Sequence, residues 1–305
     1  LEGNIIVEAT GDPSINSRNE PASGDLVAEI IDALQSRDIR EVRGDIIVDE
    51  SAFPGPAVNP LWASGDLSHS YGTGTHGFNF EDNASGKRSV SDPAAVFRSR
   101  LRSAMTNRGI AVSQAKIENQ TRRHRLGEHH SATIDEIMRS CMMRSDNQFA
   151  EALMRKIGET YGDEGSVVRG TEETEKYWKR HKARMKGVEI HDGSGLSRSN
   201  RVTARFMADV LTHMYKNPYY ASFFPLAGQE GTLKRFLAGT PLEGMIAMKT
   251  GSMNGIQCYA GYKLDEDYAP THIVVVMMND MTNRSVARSE LEKLLLHVFA
   301  EGNIE

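Results

Sequence analysis

The chain has 305 residues, about two domains' worth at roughly 150 residues each and ample for at least one buried core. Hydrophobic residues make up 39%, charged 25% and aromatic 7%, which excludes wholesale disorder, collagen-like repeats and a small disulfide scaffold. Net charge is −5, from 36 basic and 41 acidic residues, so no global basic field points to nucleic acid. The longest apolar run, Ile273 to Met278, has six residues where a membrane-spanning helix needs about twenty.

Asn4 to Thr10 suits a strand, closed by the turn Gly11-Asp12-Pro13. Leu26, Ile30, Ile31 and Leu34 recur at helical spacing within Asp25 to Ile39, with Asp25 as N-cap. Gly44 to Asp49 is a short buried strand. From Ser51 to Ser91 the composition turns to Gly, Pro, Ser, Asn and His, a long stretch for a structureless connection inside a compact domain. Asp92-Pro93 opens a helix through Arg108, and Gly109 to Val112 starts a strand. The sequence predicts further helices over Thr133 to Met143 (a capping box of Thr133 with Glu136), Asn147 to Ile157, Glu172 to Met185 and Thr203 to Tyr215. Val188 to Ile190 reads as a short strand. Met245 to Lys249, Gly255 to Lys263 and His272 to Met278 read as consecutive antiparallel strands, and Ser285 to Ala300 as a closing helix. This is α+β layering, an antiparallel sheet flanked by helices, and not an alternating doubly wound sheet.

The two cysteines, Cys141 and Cys258, form no metal or redox spacing and read as free thiols in apolar settings. His124, His129 and His130 cluster near Glu128, but beside Arg122, Arg123 and Arg125 they read as a solvated loop. Tyr71-Gly72-Thr73-Gly74-Thr75 lacks the Gly-Lys-Ser/Thr ending of a nucleotide loop. The charged run Glu172 to Arg184 is a solvated helix face. Leu1-Glu2-Gly3 shows no initiator Met and no signal-peptide architecture, and the expectation is a piece from within a longer polypeptide.

Two motifs carry chemistry. Arg144-Ser145-Asp146-Asn147 lies between two predicted helices, and Lys249-Thr250-Gly251-Ser252 ends a predicted strand. In this order they match two of the three signatures of the penicillin-binding and serine β-lactamase superfamily. Acyl transfer on a peptide with a free terminal carboxylate needs a cation and a hydroxyl to hold that carboxylate. Lys249 and Thr250 offer both, and Gly251 lets backbone approach a ligand. Asn147 supplies an amide for a substrate peptide group, and Ser145 a hydroxyl able to relay a proton to the leaving amine. The bland alternatives are Ser145 as a helix cap and Lys249 as a surface residue of a hairpin.

A longer pattern is more specific. Asp192-Gly193-Ser194-Gly195-Leu196-Ser197, Ser199-Asn200, Pro225-Leu226-Ala227-Gly228 and Gly231-Thr232-Leu233 closely resemble the D-alanyl-D-alanine carboxypeptidase family typified by penicillin-binding protein 4. So do Gly44 to Ser51 with Phe53, and Gly255 with Tyr259-Ala260-Gly261-Tyr262; the resemblance covers roughly 1–85 and 90–300. It implies the penicillin-binding protein and serine β-lactamase-like transpeptidase fold with an inserted region. Residues 1–51 would be part of a catalytic or inserted α/β region, 52–91 a remnant of an inserted domain, and 92–305 the transpeptidase-like catalytic domain.

The resemblance further implies a serine peptidase, a hydrolase of the cell envelope or periplasm that cleaves D-Ala-D-Ala in peptidoglycan stem peptides through an acyl-serine. It would be acylated by β-lactam antibiotics, need no metal or other cofactor, bind no nucleic acid, and leave peripheral membrane association open. Ser145, Asn147 and Lys249 take catalytic places, Thr250, Gly251 and Ser252 substrate-binding ones, with the Ser252 N–H as an oxyanion donor.

The family's nucleophile sits in Ser-x-x-Lys, upstream of the region matched by Asn4 to Pro13. Here Ser113-Gln114-Ala115-Lys116 alone has that spacing, in a strand pattern where residues i and i+3 face opposite ways. The expectation is a nucleophile upstream of Leu1 in the natural protein. The alternatives are a non-catalytic peptidoglycan-binding homologue lacking it, or a serine β-lactamase.

Overall fold

A computed structural model describes residues 1–19, 23–113, 123–217 and 219–300. In chain order the elements are β1 (Ile5–Glu8), α1 (Leu26–Gln35), β2 (Glu41–Arg43), β3 (Ile46–Asp49), β4 (Ala84–Ser85), β5 (Arg88–Ser89), α2 (Pro93–Asn107) and β6 (Ala111–Ser113). Then follow α3 (Ile134–Arg144), α4 (Asn147–Gly162), α5 (Val167–Arg180), α6 (Ala204–Met214), β7 (Ile246–Met253), β8 (Ile256–Leu264), β9 (Pro270–Met278) and α7 (Arg284–Phe299). Among the described residues no helix is long and apolar enough to cross a membrane. Two units separate by their contacts: Leu1–Ile137 with Asn147–Glu173 and His191–Arg198, and Met138–Asp146 with Thr174–Ile190 and Ser199–Glu305.

In the first unit β1 pairs with β3 in parallel, Ile5 opposite Ile46, and β2 pairs with β6. Asp25 caps α1 by accepting from the N–H groups of Val27 and Ala28, and Asp92 caps α2 ahead of Pro93. Leu34, Val42, Phe97, Leu101 and Met105 are buried in one core. The Gly- and Asn-rich stretch after β3 is held there too. Phe78 and Phe80 pack on Phe97 with ring centroids 5.0 and 5.5 Å apart. Buried Asn83 donates to the Gly74 carbonyl at 2.9 Å and to Asn79 Oδ1 at 2.7 Å, so side-chain amides replace the missing ladder.

A second, polar hub sits beside α4. Glu151 Oε1 accepts from the N–H groups of Gly193 (3.0 Å) and Ser194 (2.8 Å). Asp192 accepts from Trp62 Nε1 at 2.9 Å and from the N–H of Gly195 and Ser197. Arg155 donates to the Pro56 carbonyl at 2.7 Å. Two segments distant in sequence, around Pro56 to Trp62 and Asp192 to Ser197, are thereby tied to one helix.

In the second unit β7, β8 and β9 form an antiparallel sheet in that order, Lys249 opposite Ala260 and Thr250 opposite Tyr259. Strand period two sends alternate residues to opposite faces. Ile246, Met248 and Tyr259 pack with Phe236, Leu291 and Leu295 on the α7 face. Ala247, Tyr262 and Leu264 pack with Leu211 of α6 on the other, and the Tyr262 hydroxyl donates to the Leu211 carbonyl at 2.7 Å. Both faces of the sheet are covered, as the α+β reading requires.

Four local expectations change. The helix expected over Glu172 to Met185 runs instead from Val167, capped by Ser166 Oγ, to Arg180. It stops because Lys182 takes a left-handed φ of 60° and Ala183 N–H bonds back to the Trp178 carbonyl. Val188 to Ile190 forms no strand but a single bridge of Glu189 with Arg201. The strand expected to end at Lys249 continues to Met253, which places the whole Lys-Thr-Gly-Ser motif inside β7. The helix expected to end at Ile157 continues to Gly162.

Candidate active site

Ser145 follows the last residue of α3 with φ +60°, a left-handed position that favours glycine. The Asp146 N–H bonds back to the Cys141 carbonyl at 3.2 Å, closing the helix end around it. A non-glycine residue in this conformation costs about 1–2 kcal/mol, and here it points a hydroxyl outward. Cys141, one turn earlier, is no competing nucleophile: burial pushes its thiol up to about 12, with the Asp146 charge adding to this.

Lys249 Nζ donates to Ser145 Oγ at 2.6 Å and to the carbonyl of Thr250. Burial lowers the Lys249 pKa below that of an ordinary lysine. Lys249 lies on the strand face of Ala247, and Thr250 on the face of Met248. On its own side Thr250 Oγ1 donates to Thr232 Oγ1 at 3.0 Å. Thr232 is held by Gly231, whose φ is +48° and where an added Cβ would stand 2.3 Å from the Met143 carbonyl oxygen. That glycine therefore lets the segment sit against the end of α3.

Among the described residues the backbone of β7 has no strand partner on its outer side at the motif. The Pro225–Ala227 segment pairs with its outer side, through the Ile246 carbonyl with Ala227 N–H and the Met248 N–H with the Pro225 carbonyl. Antiparallel strands alternate the direction of their hydrogen-bonding groups, so Thr250 and Ser252 turn N–H and C=O to that same edge beyond the segment's end. Gly251 has an extended φ, and a Cβ there would meet only Cys258 Cβ at 3.7 Å, so nothing among the described residues requires a glycine. Ser252 Oγ donates across the sheet to Gln257 Oε1 at 2.9 Å.

The structure thus brings together Ser145, Lys249 and Thr250, with Gly251 and Ser252 on the adjoining edge. Asn147 opens α4 and belongs to the other unit, where its Nδ2 donates to the Tyr71 carbonyl at 2.7 Å. Its amide secures the Gly-rich loop. Ser113 ends β6, and Gln114 to Lys116 lie outside the described residues. Thr232 is the residue that sequence reasoning quoted without a role; Arg284 and Arg288, which line a recess beside Thr250, it missed altogether.

The model of the D-Ala-D-Ala carboxypeptidase 3 (S13) family matches residues 1–86 and 81–297. The chain belongs to that family. It is 30% identical over 196 residues to a D-alanyl-D-alanine carboxypeptidase of Actinomadura sp. (strain R39), covering 57% of this chain and 35% of that protein. To the D-alanyl-D-alanine carboxypeptidase DacB of Haemophilus influenzae it is 32% identical over 143 residues, covering 45% and 30%. The chain thus spans about a third of the length of these relatives. The fold is that of penicillin-binding protein 4 (DacB) from Haemophilus influenzae, with TM-score 0.80 at 20% identity over 98% of this chain and 82% of that one. A predatory endopeptidase of Bdellovibrio bacteriovorus shares it at TM-score 0.57 and 17% identity, over 98% and 77%.

Within this family the helix end at Ser145 makes a clear prediction. Ser145→Gly suits the left-handed backbone, so the protein keeps its melting temperature or gains stability worth up to about 1 kcal/mol. A lowered melting temperature would show that the Ser145 side chain, through its bond from Lys249, holds the end of α3.

Proposed function

We propose that the natural protein is a serine-type D-Ala-D-Ala carboxypeptidase acting on peptidoglycan stem peptides outside the cytoplasmic membrane, and that it is acylated by β-lactams. The observation that carries this is the Lys249 Nζ to Ser145 Oγ hydrogen bond beside the outer edge of β7. Because Lys249 donates to the Ser145 oxygen, the hydroxyl proton is free to point away, towards a leaving nitrogen. In acylation a serine Oγ–C bond forms and the peptide C–N bond breaks. The attacking serine's proton goes to the Lys of its own Ser-x-x-Lys motif, Ser145 passes its proton to the departing amine, and the proton held by that Lys restores the Ser145 hydroxyl through Lys249, so none is gained or lost.

Thr250 and Lys249 hold the terminal carboxylate, a peptide strand lies along Thr250 and Ser252, and the Ser252 N–H receives the developing oxyanion. Open space at Gly251 suits the approach of that ligand. The Asn147 amide, whose Nδ2 donates to the Tyr71 carbonyl, is kept as a proposed partner of a substrate peptide group. The attacking serine is assigned to a Ser-x-x-Lys segment upstream of Leu1. The assigned compartment is the periplasm or cell envelope.

Intact mass of the full-length protein before and after a labelled penicillin tests this. A covalent adduct mapped by peptide analysis to a serine outside these 305 residues is the expected result. No adduct on folded protein would overturn the enzyme reading in favour of a non-catalytic peptidoglycan-binding homologue, and an adduct on Ser145 would overturn the role given to it.

A further inference from the structure

The second unit carries its positive charge unevenly. Its segments Thr174 to Ile190 and Ser199 to Lys216 hold nine Lys and Arg against three Asp and Glu, in a chain whose net charge is −5. Two of the three acids are already engaged. Glu175 accepts from Lys179 at 2.8 Å, and Asp209 from Arg184 Nε at 2.9 Å. Arg180, Lys182, Lys186 and Lys216 are exposed and have no carboxylate partner among the described residues.

Packing gathers these charges on one rigid base. The last turns of α5 and the segment after it lie on α6. Tyr177 Oη and His213 Nε2 share a hydrogen bond of 3.0 Å, and the His181 ring stands edge-on to His213 with centroids 4.5 Å apart. Trp178 closes the same contact, its ring 5.5 Å from His213 and 6.1 Å from Phe206. Further on, Arg184 binds both carboxylate oxygens of Asp209. Lys182 follows His181 directly, and Lys216 comes three residues after His213. Burial lowers the His213 pKa, and the His181 and Lys216 charges lower it further, so cations from both helix ends act on one spot.

Aromatic surface is mixed with these cations. Tyr177 is 40% exposed, and Tyr215, beside Lys216, 57%. Tyrosine rings favour the headgroup layer of a bilayer, and Lys and Arg are drawn to anionic headgroups. The charges are spread over two helix ends with ring surface between them, which suits an extended anionic surface better than a single bound anion. We propose that this face of α5 and α6 docks the protein on an anionic phospholipid bilayer, with Arg180, Lys182, Lys186 and Lys216 against the headgroups. Only the cell-envelope location is taken from the carboxypeptidase reading; the docking face is independent of the chemistry.

Co-sedimentation of the full-length protein with vesicles at physiological salt tests this. Vesicles of phosphatidylcholine with about a third phosphatidylglycerol should retain it, and vesicles of phosphatidylcholine alone should not. Each basic side chain near an anionic surface contributes about fivefold to binding, so Lys182→Gln with Lys216→Gln should weaken retention about twenty-five-fold. Lys87→Gln with Lys293→Gln makes the same change of net charge at exposed lysines elsewhere and should leave retention unaltered. Neither pair includes a residue given a catalytic or substrate-binding place, so melting temperature and the penicillin adduct are read on the same preparations as controls. Equal retention on the two vesicles, equal loss in the two pairs, or no loss in the first pair overturns the docking face. Binding to immobilised polyphosphate without retention on vesicles overturns it in favour of a soluble polyanion. Retention on the anionic vesicles without an adduct would leave the face standing and the enzyme reading refuted, and an adduct without retention the reverse.

Discussion

Lys249→Met in the full-length protein is expected to lower the rate of acylation by penicillin by about 10²–10⁴ while leaving the melting temperature unchanged or raised. The first half follows from the proposed proton path: without Nζ the Ser145 hydroxyl loses the donor behind it, and the proposed carboxylate clamp loses its lysine. General acid–base groups of this kind contribute about that factor. The second half follows from burial. Desolvation already lowers the Lys249 pKa, so the folded state is spending stability to hold a charge in a poorly solvated place. A methionine of similar length fills that volume without the charge, and replacing a buried ionic group by an apolar one is often neutral or stabilising. Lysine and arginine are not interchangeable here, since a guanidinium is too broad for a single 2.6 Å contact with Ser145 Oγ, so Lys249→Arg should not restore the rate. Unchanged acylation in Lys249→Met would show that the carboxylate clamp and proton path lie elsewhere. Loss of rate together with a collapsed melting temperature would mean that Lys249 holds the fold.

Periodicity and caps revealed the elements whose hydrogen bonds are local. Asp25, Asp92, Thr133 and Thr203 all sit at helix starts, and the three late strands follow their apolar alternation. The motif residues of the candidate site were legible for a different reason: few chemistries need Ser-x-Asn and Lys-Thr-Gly in that order. What the sequence concealed was built by long-range polar contacts. The stretch after β3 looked structureless because Asn79 and Asn83, and not a ladder, satisfy its backbone. The short strand β2 has only three residues and exists because β6 lies beside it. Arg288 looked like an ordinary charge on a closing helix, and only the packing of that helix shows its guanidinium lying over the Phe236 ring. The strain at Ser145 was equally invisible, since a left-handed φ at a serine has no letter of its own.

Glu151 was hidden in the same way, as one acidic residue in a helix, and its burial predicts how stability should change with pH. Burial, reinforced by the Asp192 charge, raises its carboxyl to about 7 from the ordinary 4.5. The folded state therefore binds this proton more tightly than the unfolded chain does. Its contribution is fully present below about pH 4.5 and is lost as pH rises through about 7, the reverse of a salt-bridged carboxylate. A shift of this size corresponds to about 3 kcal/mol, of which about 2–3 kcal/mol is lost between pH 5 and pH 8. Glu151→Gln keeps an amide oxygen for the N–H groups of Gly193 and Ser194 but removes the titration. Denaturant unfolding at pH 5 and pH 8 should show the wild type losing stability by roughly that amount relative to the variant. Equal pH slopes in the two proteins would show that Glu151 titrates as an ordinary carboxylate. Glu151→Ala is a different experiment: it strips from α4 the carboxylate that accepts from Gly193 N–H and Ser194 N–H, and part-buried donors left without that acceptor cost about 1 kcal/mol or more each at any pH. A steep, pH-independent loss in that variant beside a flat response in Glu151→Gln would separate the oxygen that holds the Asp-Gly-Ser-Gly-Leu-Ser loop from the proton that titrates on it.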